Sequence, residues 1–155
     1  MSRIYLKTLI KAPREKVFNL SRDIDFHIIS SEKTKESAIA GRTGGCIELG
    51  ETVTWKGKHF GIYWTHQSLI TAFRYPTNFT DEMINGRFTF FKHQHTFYKT
   101  HIGTEMIDIV EYEIPYGVFG KILDKIFIKK HLTRFLWARN HKIKTRLEAR
   151  KKRLK

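Results

Sequence analysis

The stretch FKHQHTF, residues 91–97, reads as a β-strand whose alternation puts His93 and His95 on the same side of the backbone. Imidazoles titrate near neutrality, ligate metals through a neutral nitrogen and hydrogen-bond carboxylates. Two of them on one face could therefore hold an ion, move a proton or orient a polar group of a ligand. What shares their face decides among these. A turn centred on His101 and Ile102 sets Phe97 opposite Met106, His95 opposite Asp108, His93 opposite Val110 and Phe91 opposite Tyr112. Apart from the His95/Asp108 pair, these residues are mostly large and apolar. That identifies the inner face of a sheet, and a slip of one residue would destroy the pattern.

An inward His95 and Asp108 admit three readings. They are a mutually satisfied structural pair, or the polar part of a cavity wall aimed at an otherwise apolar ligand, or part of a metal set in which His93 and His95 supply two nitrogens and Asp108 or His66 a third ligand. No His, Glu or Cys spacing elsewhere completes a recognised metal set, so no metal and no cofactor is expected. For catalysis the candidates are His95, Asp108 and Tyr112: an imidazole oriented by a carboxylate, with a phenol as donor, could polarise a carbonyl in a cyclisation or dehydration. Trp64 and His66 fall on one face of an upstream strand and are expected in the core or the cavity wall, as is Trp55. Glu51 also has inward parity, although so near a hairpin it can reach water.

The elements that position these residues follow from periodicity. Ile4, Leu6 and Thr8 alternate with Tyr5, Lys7 and Leu9 in a first strand. Two short helices follow, in APREKVFNLSRD and IDFHIISSE, and GRTGG, residues 41–45, is expected to end this helical insert. From Cys46 to Ile114 strand follows strand, with a tight turn expected around Gly57, a strand end at Asn85-Gly86 and a last hairpin near residues 101–103. After Pro115 a helix of more than 30 residues is predicted. It carries two apolar stripes, one of Phe119, Ile122, Leu123, Ile126 and Phe127 and one of Ile128, Leu132, Phe135, Leu136, Ile143 and Leu147. They lie too far apart for a straight helix to present both to one sheet, so a break is predicted within FIKKHL, residues 127–132. Arg139 rides on the second stripe and either projects its guanidinium toward the mouth of a cavity or snorkels to solvent. Strand, two short helices, antiparallel strands and a terminal helix make an α+β arrangement whose sheet curls round the helix.

Composition bounds the class. The 155 residues are 41% hydrophobic, include 12 Phe and only three Pro, and suit one globular domain over 1–155. Cys46 is the lone cysteine, and Arg3, Lys7 and Lys11 interrupt any signal-peptide core; a soluble, cytoplasmic protein is expected. The +14 charge is lopsided: residues 121–155 hold 14 Lys or Arg against Asp124 and Glu148. Lys130, Arg134 and Lys144 gather with Trp137 on the helix face opposite the second stripe, and a basic tail at 150–155 is expected to fray. Such a face is either simply solvated or suited to an anionic membrane surface. Nucleic acid is not expected, since no recognition motif and no row of exposed aromatics accompanies the charge.

The hairpin GETVTWKGKHFG, the stretches FTDEMINGRFTFFKHQHTF and GTEMIDIVEYEIPYGVFG, and the late helix FLWARNHKIKTRLE resemble the START and SRPBCC superfamily, over about Ile4 to Glu148. The resemblance is to its bacterial ligand-binding branch, related to polyketide cyclases. It implies the helix-grip fold: a curved antiparallel sheet of six to seven strands round a long C-terminal helix, with two short helices after the first strand. It brings no catalytic set, because this scaffold hosts transfer, binding and catalysis alike. The expected occupant is a small hydrophobic molecule between sheet and helix. Phe91, Phe97, Met106, Phe135 and Leu136 are expected to contact it, and His93, His95, Asp108 and Tyr112 to orient it, with Trp64, His66 and Arg139 also at the site.

Overall fold

A computed structural model describes the backbone of residues 1–152 and the side chains of residues 1–149; the expectation for the basic tail, 150–155, falls on residues whose side chains, and from 153 onward whose backbone, lie outside the described residues. Strand β1 (Ser2–Ile10) leads into helices α1 (Arg14–Ser21) and α2 (Ile24–Ser30). Pro13 caps α1 with its fixed φ of −58°, and Asp23 caps α2 by accepting the Phe26 N–H at 3.0 Å, as short polar residues at helix starts do. Six further strands follow: β2 (Ser37–Gly41), β3 (Thr52–His59), β4 (Ile62–Arg74), β5 (Asn78–Asn85), β6 (Phe90–Thr100) and β7 (Gly103–Glu113). They form one antiparallel seven-stranded sheet in the order β1-β7-β6-β5-β4-β3-β2. Helices α3 (Gly117–Leu123) and α4 (Lys129–Lys152) close the chain, joined by a π-helical turn over Asp124–Ile128.

The last hairpin has the expected register, including His95 opposite Asp108 and Phe91 opposite Tyr112. Seven of the eight inward residues are buried and Phe91 is half-buried. Two local expectations are corrected. The tight turn lies at Phe60-Gly61, not at Gly57: both turn residues have positive φ, 52° and 78°, which a two-residue hairpin with the native strand twist requires. Gly57 serves packing instead, since a Cβ there would stand 2.7 Å from Glu36 Cγ. GRTGG does not end a helical insert, because it follows β2, an exposed edge strand too short and small-sided to show alternation.

The terminal helix is broken, as its two stripes demand, but the break starts at Asp124, ahead of the expected span. Asp124 is buried and accepts hydrogen bonds from Tyr112 Oη at 2.5 Å and from Ser2 Oγ. A residue held inward at this point fixes the rotation of the helix there, and a π turn absorbs the mismatch in phase. The second stripe then packs on the sheet. The first does not: Phe119, Ile122, Leu123, Ile126 and Phe127 stand 78%, 51%, 47%, 53% and 56% exposed, and neighbouring Val118 is exposed too.

The interior holds two packed apolar clusters, one under α1 and one where Ile4, Val110 and Tyr112 meet Leu136 of α4. Phe18 of α1, wholly buried, meets Phe73, Phe79 and Phe97 edge-on at 5.2–5.5 Å, and Met106, Ile143 and Leu147 complete that core. Edge-to-face packing of this kind suits the ring quadrupoles and excludes water.

Candidate functional site

Beyond that core, between the inner face of the sheet and α4, lies a cavity of about 180 Å³. Trp64, His66, Phe91, Phe135, Leu136 and Arg139 line it, together with His93 and His95. Phe97 and Met106 share the inward face but sit under α1 in the packed core. Asp108 and Tyr112 lie behind the lining, where Tyr112 spends its hydroxyl on Asp124. Burial and the neighbouring Asp124 push the Tyr112 phenol well above its ordinary range.

The polar wall is built by three neighbouring strands. Asp81 of β5 opposes His93 of β6, and His95 opposes Asp108 of β7. The two imidazoles lie 3.7 Å apart between the two carboxylates. His93 Nε2 contacts Asp108 Oδ1 at 2.9 Å, and His95 Nε2 contacts Asp81 Oδ2 at 3.2 Å. His95 Nδ1 is 2.8 Å from Asp108 Oδ1 but off the line of a directed hydrogen bond, so that contact is electrostatic. From α4, Asn140 donates its amide to Asp108 Oδ2 at 2.6 Å. The His95 ring also stacks on Phe79 at 4.1 Å.

Charge follows from this packing. Burial would raise the carboxyls, yet the imidazoles outweigh it, holding Asp81 at about 2 and Asp108 well below its usual range. Burial would lower His95, and the two carboxylates reverse that, so His95 is raised. His93 is lowered by burial and by the charge of His95. These shifts favour the proton on His95 over His93, between the two carboxylates. One donor atom from each of Asp81, His93 and His95 lies within 4.8 Å of the others, a spacing compatible with a divalent ion.

A second polar cluster lines the cavity on its β3 side. His27 of α2 and His59 of β3 flank Glu36, at 2.6 and 3.4 Å, and His59 Nδ1 meets His131 Nε2 of α4 at 3.0 Å. Burial would raise Glu36, but hydrogen bonds from the two imidazoles hold it at about 2. Sequence reasoning missed this group, because a turn placed at Gly57 removed His59 from the inner face. Asp81 and Asn140 were missed too, although each carries a signal. Asp81 shares the face of Phe79, and Asn140 falls on the inward helical series Leu136, Asn140, Ile143, Leu147.

The fold and this arrangement can be set beside known proteins. No family model matches the sequence, and no curated protein matches it. Solved structures do match. The protein TTHA0849 of Thermus thermophilus superposes with a TM-score of 0.78 at 17% identity, covering 96% of this chain and 98% of that one. The KanY protein superposes with 0.74 at 16% identity over 96% and 99%. Major latex-like protein 151 of Panax ginseng gives 0.70 at 12% identity over 94% and 97%. The chain has the helix-grip fold. In helix-grip terms the cavity lies between the gripping sheet and the gripped helix α4, and no helix among the described residues is long and apolar enough to cross a membrane.

Proposed function

We propose that this helix-grip chain, acting as a single domain, binds and carries a small, largely apolar molecule in the cavity between sheet and α4. The observation that supports it is an unfilled space whose exposed lining is mostly apolar, with its polar side chains gathered into clusters in the wall, a make-up that suits a ligand site. Its volume sets the scale: an engineered cavity of about 150 Å³ holds benzene, whereas drug-sized ligands need about 300 Å³ or more. The occupant is therefore of single-ring or short-chain size. Native mass spectrometry of protein purified from its own cells tests this. A co-purified molecule of that size is expected, and protein without one that also ignores small apolar probes sinks the reading.

The exposed stripe of α3 and the π turn favour a second element, docking on an anionic membrane. Lys121, Lys125, Lys129 and Lys130 rim that apolar stripe, and Phe60, next to Ile126 and Phe127, also lines the cavity. An apolar face set in a basic rim suits an anionic bilayer surface, and it would bring the ligand's portal to the lipid. Arg134 is exposed beside it, and Trp137 is exposed further along α4, while Lys144 is engaged with the Leu9 carbonyl at 2.8 Å. Sedimentation with vesicles of phosphatidylserine and phosphatidylcholine, against phosphatidylcholine alone, tests it. Binding is expected to need the anionic lipid and to weaken with salt; equal binding to both vesicles, or binding to neither, sinks it.

A cyclase or dehydratase using His95 and Asp108 is the alternative for the same cavity. Its expected phenolic donor, Tyr112, is turned to Asp124, which weighs for the carrier. Turnover lost in Asp108→Asn with ligand binding retained would favour the enzyme. A cytoplasmic location accords with the single unpaired Cys46.

A further inference from the structure

Arg139 is 6% exposed and lines the cavity from α4. Its Nη2 donates to the Ser21 carbonyl at 2.5 Å, but Nη1 is sealed from bulk solvent and has no partner. No carboxylate among the described residues forms an ion pair with this guanidinium. The acids of the polar wall are already engaged: Asp108 by His93 and Asn140, and Asp81 by His95. A buried guanidinium without a counter-charge is a costly arrangement that proteins retain where an anion arrives to complete it. Arg139 is also near enough to His95 to oppose its protonation, so an anion at this point relieves two positive groups together. Trp64 Nε1 is a second buried donor of the same cavity with no partner. The unmatched lining groups are thus donors, and one of them is a cation.

We propose that the occupant of the cavity is a small organic acid whose carboxylate is held by Arg139 and whose ring or branched chain fills the apolar space. This rests on the carrier reading above and narrows it from any apolar molecule to an anionic one. A planar carboxylate matches the guanidinium fork, and a second acceptor on the ligand, such as a ring oxygen, can accept from Trp64 Nε1–H. Apolar burial against Phe135 and Leu136 supplies affinity, and Arg139 supplies the selection for charge.

The experiment titrates three probes of one size into the full chain at pH 7, following the fluorescence of the cavity tryptophans: phenylacetate, 2-phenylacetamide and phenethylammonium. Phenylacetate is expected to bind at least tenfold tighter than the amide, and the amine to bind worst. In Arg139→Gln the preference for the acid over the amide is expected to vanish, and in Arg139→Lys to survive in part. Should the Gln variant not fold, the wild-type comparison of acid with amide still decides, with the Arg139 side-chain nitrogen resonances reporting contact with the acid. Equal binding of acid and amide overturns the proposal while leaving the carrier reading intact. No binding of any probe overturns both.

Discussion

Asp108 and Asn140 join the sheet to the terminal helix: the amide of Asn140 donates to Asp108 Oδ2 at 2.6 Å, while Oδ1 of the same carboxylate faces His93 and His95. Both residues are essentially inaccessible, Asp108 at 1% and Asn140 at 1%. The orientation of the cavity's imidazoles therefore depends on a contact made by α4. Replacing Asn140 by Ala strands one oxygen of a buried carboxylate and is expected to cost about 1–3 kcal/mol. Asp108→Asn removes the charge that pairs with His95 and is expected to cost about 3–5 kcal/mol. Urea denaturation of both variants checks the order, and a smaller loss for Asp108→Asn than for Asn140→Ala would contradict it.

Glu36 makes stability depend on acid pH. Its folded value of about 2 lies below the ordinary 4.5, so its contribution is present above pH 4.5 and lost as pH falls toward 2. At about 1.4 kcal/mol per pH unit, that contribution is on the order of 3 kcal/mol. Between pH 5 and pH 2 the wild type is expected to lose stability more steeply than Glu36→Gln. Denaturant midpoints collected across that range check this, and parallel curves would refute it.

The two neighbouring imidazoles should titrate apart. His95, raised by Asp108 and Asp81 against the opposing effects of burial and Arg139, is expected to hold its proton above pH 6.5, and His93 to lose its own below that. The His95 contribution is fully present below pH 6.5 and fades as pH rises through its folded value. Ring-proton NMR titrations assign the order by comparison with His93→Gln and His95→Gln. A lower titration point for His95 would reverse the assignment of the shared proton.

Two phenylalanines should differ sharply. Phe18 is wholly buried amid four aromatic rings, and Phe18→Ala is expected to cost about 3–5 kcal/mol. Phe119 is 78% exposed, and Phe119→Ala is expected to stay within about 0.5 kcal/mol while weakening attachment to anionic vesicles. Thermal denaturation and vesicle sedimentation of the pair separate packing from docking.

Much of this architecture was legible in local pattern. Alternation in residues 91–97 and 104–112, with a turn between them, was enough to pair His95 with Asp108, since the pleat assigns every second side chain to one face. The conflict between two helical stripes was enough to require a break, and the C-terminal basicity was plain from counting charges. Alternation says which way a side chain points, but not whether the space before it is filled. Phe97 and Phe91 share a face, yet α1 drives Phe18 onto Phe97 and leaves Phe91 at the cavity. Nor could local pattern choose partners from distant segments. That Asp81 and Asn140 complete the polar wall, that Glu36 gathers His27 and His59, and that the first helical stripe faces outward all follow from how α1, α4 and the curved sheet come together in space. Packing of this kind is a property of three-dimensional fit, which no period of two or 3.6 residues encodes.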